Sequence, residues 1–348
     1  MKLNVYNELA AHISRRYAER EPYNLADFLT ANHLFRSVDE AFIEFVTEHR
    51  PDILRLISDP LQRETLVAAM AEATKLYTWQ RNQYIALPAQ ADTLLSDIYR
   101  ALTERSRALL QTATDRAAVA SAMRAVVDAH HERLTRFFTE VCTSGSGGGT
   151  AGDPSAAIEV FGSAAGGNAA AVGAGAFLRS VPCDEYSAEL QLRLLAVDID
   201  SLHEPVLDLG CGSSGTLVRF LRDEGVAAIG VDRLAPRETG FVRADWFDAP
   251  LEDAQWGTVL AHQSLSLHFL FHHQHATGQE ERHAHLLMHV LRSLRPGGRF
   301  CCTPALPFFE PFIEDSTYRL QRFPHDMSGT RDELSGIAAA LHIIRPER

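Results

Sequence analysis

The sequence predicts an α/β protein in which an all-helical N-terminal domain precedes a domain of alternating strands and helices. Three observations predict it. Over residues 1–142, Leu, Ile, Val, Phe and Ala recur at helical spacing with almost no glycine. From 143 to 176 the composition turns to Gly, Ala and Ser, too poor in bulky apolar groups to offset the entropy of ordering, which is the signature of a linker. After it, Val206-Leu207-Asp208-Leu209 runs through Gly210-Cys211-Gly212-Ser213-Ser214-Gly215 into Thr216-Leu217-Val218-Arg219-Phe220-Leu221, the pattern of a buried strand, a glycine turn and an amphipathic helix. The expected boundaries are therefore 1–142, 143–176 and 177–348.

In the helical domain, Ser37-Val38-Asp39-Glu40 reads as a capping box, and Pro51 is expected to end the helix that follows, just after His49-Arg50. Further helices are expected over about 61–85, 90–111 and 115–141, the last capped by Asp115. The run Tyr77 to Tyr84, with Trp79, Gln80, Arg81, Asn82 and Gln83, has two readings: a wall or lid over a cofactor site that selects the second substrate, or core rings alternating with a solvated face. His130-His131 reads as a polar surface pair.

The glycine turn lets main chain approach a ligand closely and delivers it to the free N–H groups of a helix start. Ile229-Gly230-Val231-Asp232-Arg233 follows as a second short strand, ending in a carboxylate 24 residues after Asp208; at that distance an Asp reaches the hydroxyls of an adenosine ribose. Asp245-Trp246-Phe247 sets an acid beside two rings, suited to the amine and face of adenine. Trp256–His262 reads as a fourth strand, and Leu291 to Phe300 as a helix end, a Pro296-Gly297-Gly298 turn and another strand. Beyond it, 305–314 reads as an apolar loop holding Phe308, Phe309 and Phe312, and 317–323 and 341–345 as a closing pair of strands.

Asp208-Leu209-Gly210-Cys211-Gly212, Asp232, Asp245 and Leu294-Arg295-Pro296-Gly297-Gly298, in that order over roughly residues 184–306, resemble the class I S-adenosylmethionine-dependent methyltransferases. The third glycine stands at 215 rather than two places after Gly212. The resemblance implies a Rossmann-like, seven-stranded, mostly parallel sheet with helices on both faces and S-adenosylmethionine, as co-substrate, across the strand ends. It further implies a cofactor set of Asp208, Gly210, Cys211, Gly212, Asp232, Arg233, Asp245, Trp246 and His262. In this set Gly210 and Gly212 face the methionine part, Asp232 the ribose, and Asp245 with Trp246 the adenine.

His262, His268, His272, His273, His275, His283, His285 and His289 are eight of the sixteen histidines, within 28 residues. In such a fold the end of the fourth strand and the helix after it face the group being alkylated, so His262, His268, His272 and His273 are candidate general bases. Pairs three or four apart, such as His268 with His272, His272 with His275 and His285 with His289, would share a helix face, yet no carboxylate or cysteine completes a metal site at motif spacing. No metal is expected, and His283, His285 and His289 are assigned a structural role. Tyr186 is placed either against the sulfonium, as an aromatic face suits a cation, or as an anchor of the helix over 188–195.

The formal charge of −12 and the lack of a dense Lys/Arg cluster set a nucleic-acid substrate against the average field of the protein. Five cysteines without framework spacing, no apolar leader and no apolar run of 18 residues describe a soluble, cytoplasmic protein with no membrane partner. The expected activity is methyl transfer to a small-molecule acceptor with a histidine as base. The alternative is attack at the sulfonium Cγ, by an outside nucleophile taking the 3-amino-3-carboxypropyl group or by the α-amine closing azetidine-2-carboxylate with release of methylthioadenosine. A binding-only sensor is the third reading, and a homodimer is left open.

Overall fold

The computed structural model describes residues 2–18, 36–85, 87, 90–144, 186–313, 318–325 and 338–347. They fall into two units, one within 1–182 and one within 183–348. The Gly/Ala/Ser tract beyond residue 144 lies outside the described residues, as does Cys183.

The first unit contains α1 (Lys2–Ala18), α2 (Glu40–Ser58), α3 (Pro60–Arg81), α4 (Ala91–Thr112) and α5 (Arg116–Ser144). Asp39 caps α2, its Oδ1 accepting from Phe42 N at 2.6 Å. Ser37 does not take that place, because Asp39 stands one residue ahead of the first helical position. Nor does Pro51 end the helix: α2 runs on to Ser58. An interior proline costs about 3 kcal/mol, offset here by Ile53, Leu56 and Ile57, which continue the buried face of Ile43 and Val46. Asp59 then closes α2 with its N–H and opens α3 with its carboxylate, which accepts from Gln62 N at 3.0 Å, while Pro60 fills the first helical position. We expect Asp39→Ala to lower the unfolding free energy by about 1 kcal/mol, read from denaturant midpoints.

Tyr77, Asn82 and Tyr84 are buried and Gln80 is exposed, and Asn82 Oδ1 accepts from Tyr84 N at 2.9 Å. His130 and His131 are not a surface pair. His131 is buried, the His130 ring lies 4.9 Å from that of Tyr99, and both line a half-open pocket of about 170 Å³ with Val46, Met70 and Leu110. They follow Val126 and Val127 and precede Leu134 on the inner stripe of α5, which sequence spacing alone does not separate from the outer one.

The second unit opens with α6 (Ala188–Leu194) and alternates β1 (Val206–Leu209), α7 (Thr216–Asp223), β2 (Ala228–Asp232), β3 (Phe241–Arg243), β4 (Trp256–His262), α8 (Leu265–His275), α9 (Glu280–Ser293) and β5 (Leu294–Thr303). It closes with β6 (Arg319–Pro324) and β7 (Ala339–Ile344). One seven-stranded sheet has the order β3-β2-β1-β4-β5-β7-β6; β1 to β5 are parallel, and β7 runs antiparallel between β5 and β6. This is the Rossmann-like sheet expected from the sequence, down to the bounds of β4.

β1 and β4 are buried along their whole length. Their side chains alternate between two cores, as a pleat with both faces covered requires: Leu207, Val259 and Ala261 on the face of α8 and α9, Val206 and Leu260 on that of α6 and α7. The Pro296-Gly297-Gly298 turn is not a loop ahead of a strand. Trp256 pairs with Leu294 and Thr258 with Arg299, so the segment between those residues bulges out of a strand that has already begun. Gly298 allows it, since an added Cβ would sit 2.8–3.0 Å from three backbone oxygens. Residues 305–313 form the expected apolar loop, with one short turn at Glu310–Phe312. Among the described residues no helix is long and apolar enough to cross a membrane.

Candidate active site

The chain runs from β1 outward to β3, then returns past β1 to β4, so the strand order reverses between β1 and β4. In doubly wound sheets a ligand crevice opens there, outside the carboxyl ends of the strands. Those ends carry Asp208 and Gly210 at β1, Asp232 at β2, Asp245 just past β3, His262 at β4, Thr303 at β5 and His325 just past β6. Carboxylates occupy one side of the switch point and imidazoles the other.

The turn after β1 is locked from both neighbours. Gly210 N–H and Cys211 N–H donate to Val231 O at 2.8 and 3.3 Å, and Ser264 Oγ donates to Leu209 O at 2.5 Å. Gly210 has φ 98°, and a Cβ there would lie 2.3 Å from Ser264 Cβ. The displaced third glycine, Gly215, is the left-handed residue that starts α7; Phe241 fills the space its side chain would take.

Asp232 Oδ1 accepts from Leu234 N at 2.7 Å and Oδ2 from Gly212 N at 3.3 Å. Burial raises its pKa against these bonds and the nearby Arg233 guanidinium. Asp208 is fully enclosed; burial, with the Asp232 charge second, pushes its carboxyl up to about 7. Its Oδ2 has no hydrogen-bond partner among the described residues, an arrangement that an ammonium group of a ligand would relieve. A narrow glycine cradle and an orphaned buried carboxylate thus fit the methionine end of S-adenosylmethionine, and Asp232, with accepting positions to spare, fits a ribose.

At the β3 side, Asp245 Oδ1 accepts from Phe247 N at 3.2 Å and starts a short turn. Trp246 is not an open stacking face: its ring is buried in the core, edge-on to His268 at a centroid distance of 4.6 Å. The half-buried Asp245 carboxylate, rather than the indole face, is therefore the side chain this end presents.

His262 is the sequence-selected histidine at the far side of the crevice. Its Nε2 is buried with no hydrogen-bond partner among the described residues, and the Tyr186 ring lies edge-on at 5.3 Å. Burial first, then His325, lowers its pKa to about 4, so its imidazole is neutral near neutral pH. His325 in turn lies 3.4 Å from the Thr303 hydroxyl. His268 and His272 are elsewhere. Both are buried on the inner side of α8, His268 next to Trp246 and His272 against His283 of α9, because Leu265, Phe269 and these two histidines share the face that packs on the sheet. Burial holds His268 well below the usual range and lowers His272 to about 3. His273 is exposed and stacks on Phe308 at 3.9 Å, and Phe312 is exposed.

Sequence reasoning missed His325, Ser264 and Gln263, whose φ of 47° marks a backbone held in an unfavourable region beside the crevice. The only signal for them is position: two follow directly on His262, and one follows the penultimate strand. It also set His283 apart from His268 and His272, although the three come together, while His285 and His289 are exposed.

No protein-family model and no curated protein sequence matches the chain. Solved structures resemble less than half of the chain. An S-adenosylmethionine-dependent methyltransferase from Mesorhizobium loti aligns over 46% of this chain and 98% of its own at 18% identity, with a TM-score of 0.32. The plantazolicin methyltransferase BpumL, in complex with SAH, aligns over 40% and 75% at 14% identity and 0.29. The [4+2]-cyclase SpnF aligns over 46% and 80% at 14% identity and 0.28.

Proposed function

We propose that the protein transfers the methyl group of S-adenosylmethionine to a small-molecule acceptor, with His262 as the base. One observation carries the reading: at a single topological switch point, Asp208, Asp232 and Asp245 gather on one side and a neutral His262 with Tyr186 on the other. The carboxylates hold the ammonium, ribose and adenine ends of a cationic co-substrate. On the opposite side the His262 ring is uncharged and does not repel a sulfonium, and the Tyr186 ring adds a face for the cation. The acceptor's O–H, N–H or C–H proton passes to His262 Nε2 as the acceptor–carbon bond forms, and the breaking sulfur–methyl bond leaves its electron pair on sulfur. Alignment and exclusion of water supply the remainder of the rate.

Asp208 favours a second reading. Its buried Oδ2, without a hydrogen-bond partner among the described residues, would, once ionised beside the ammonium, be placed to take the proton that the α-amine must lose before it can attack Cγ.

Product analysis separates the two. Purified protein incubated with S-adenosylmethionine and candidate acceptors is expected to yield S-adenosylhomocysteine; methylthioadenosine, above all without an acceptor, would replace methyl transfer by the Cγ reading, and neither product would sink both. His262→Gln should lower kcat by about 10²–10⁴-fold with cofactor affinity kept within a few-fold. Because the base works as neutral imidazole and protonates near pH 4, the wild-type kcat at saturating S-adenosylmethionine should stay level from pH 8 to 6 and fall only as pH drops below roughly 5. A variant with full activity and an unchanged profile would remove His262 from the reaction.

A further inference from the structure

We infer that His268, His272 and His283 form a binding site for a divalent transition-metal ion of the zinc class, tying α8 to α9 behind the crevice. The inference does not depend on the transferase reading. One ring nitrogen from each histidine lies within 4.8 Å of the other two, and all three side chains are buried. A three-histidine site with metal–nitrogen bonds of about 2.0–2.1 Å needs nitrogen separations of roughly 3.3 Å. The rings must therefore draw together by at most roughly 1.5 Å, within reach of small side-chain rotations.

Two of the rings are already held from behind in the manner of bound imidazoles. His283 Nδ1 lies 2.9 Å from the Gln279 carbonyl oxygen; a carbonyl only accepts, so Nδ1 carries the proton and Nε2 presents its lone pair. His272 Nδ1 lies 2.7 Å from Thr277 Oγ1, a buried hydroxyl at the end of α8. An outer carbonyl such as that of Gln279 fixes tautomer and ring direction in metal centres, and an outer hydroxyl such as that of Thr277 fixes ring direction. Trp246, Phe247 and Phe269 pack their rings around the cluster. Arg233 acts on His268 and His272, and Arg282, Asp245 and Glu280 act on His283, with His275 beside His272. An all-imidazole donor set selects Zn²⁺, Co²⁺, Ni²⁺ or Cu²⁺ over Mg²⁺ and Ca²⁺.

The test is titration of Co²⁺ into the metal-free full-length protein, read by its visible d–d absorption. The expected result is saturation at one equivalent, displacement by one equivalent of Zn²⁺, and no displacement by excess Mg²⁺. His283→Gln should weaken binding by more than about 100-fold and Thr277→Val, which leaves all three ligands in place, by about 10–100-fold. No absorption band at micromolar protein, or Co²⁺ affinity unchanged in His283→Gln, overturns the site. Should His283→Gln fail to fold, Thr277→Val decides, and unchanged affinity there overturns it equally.

Discussion

Asp208→Asn is expected to yield a protein that is more stable at pH 8 and binds S-adenosylmethionine at least about 100-fold more weakly. The two effects have one origin. Asp208 ionises near its ordinary value of 3.8 when unfolded but only near pH 7 when folded. A raised carboxyl pKa means that the folded state holds the proton more tightly, so this group's contribution is most favourable below about pH 4 and is lost as pH rises through 7. Three pH units correspond to on the order of 4 kcal/mol. Asparagine keeps the shape and removes the charge. Denaturant unfolding of both proteins at pH 4.5 and pH 8 should show the variant gaining on the wild type between those two values, and an equal difference at both would mean that Asp208 is not held protonated. In binding, the sign reverses: a ligand ammonium draws Asp208 back to its charged form and releases a proton. Wild-type affinity should therefore rise from pH 6 to 7.5, and calorimetry in buffers of different ionisation enthalpy should detect that proton.

Gly210→Ala is expected to lower stability by about 2–4 kcal/mol and to abolish measurable cofactor binding. A φ of 98° is unfavourable for any L side chain, and the new methyl would overlap Ser264, which joins the ends of β1 and β4 through its bond to Leu209 O. Relief requires those two ends to part, and they form the floor of the proposed site. Gly225→Ala supplies the comparison: its φ is 86°, but nothing lies within 4 Å of the added carbon. It should lose about 1 kcal/mol and bind the cofactor as the wild type does. If Gly210→Ala behaved like Gly225→Ala, the turn would have no role in binding.

What could be read from the sequence was whatever is local. The β1 turn, Asp232 and β4 are each a few contiguous residues whose pattern of apolar side chains and glycines has a single structural solution. His268, His272 and His283 illustrate the limit. Spacing places two of them on one helix face, but the third joins only because α9 packs beside α8, and that angle is set by the Leu286, Leu287 and Val290 core rather than by any motif. His325 is hidden for the same reason, being brought to the crevice by the pairing of β6 with β7. Pro51 shows the opposite failure, a strong local signal overruled by burial of the residues beyond it. Sequence divides the histidine-rich segment into candidate bases and structural residues, whereas the fold divides it into one crevice residue, three interior residues and several nearer the surface.

The two-faced alternation along β4 bears on how this chain can change over evolutionary time. Inserting or deleting a single residue between Trp256 and His262 would exchange the sides of every later residue in the strand, sending Leu260 toward α8 and α9, Ala261 toward α6 and α7, and the His262 imidazole away from Tyr186. Point substitutions of similar volume can be absorbed there, whereas a change of length cannot. The neighbouring β5 is different, for its bulge between Leu294 and Arg299 already holds residues without partners in β4. Length variation among descendants of this sequence should accumulate in that bulge and spare the strand beside it.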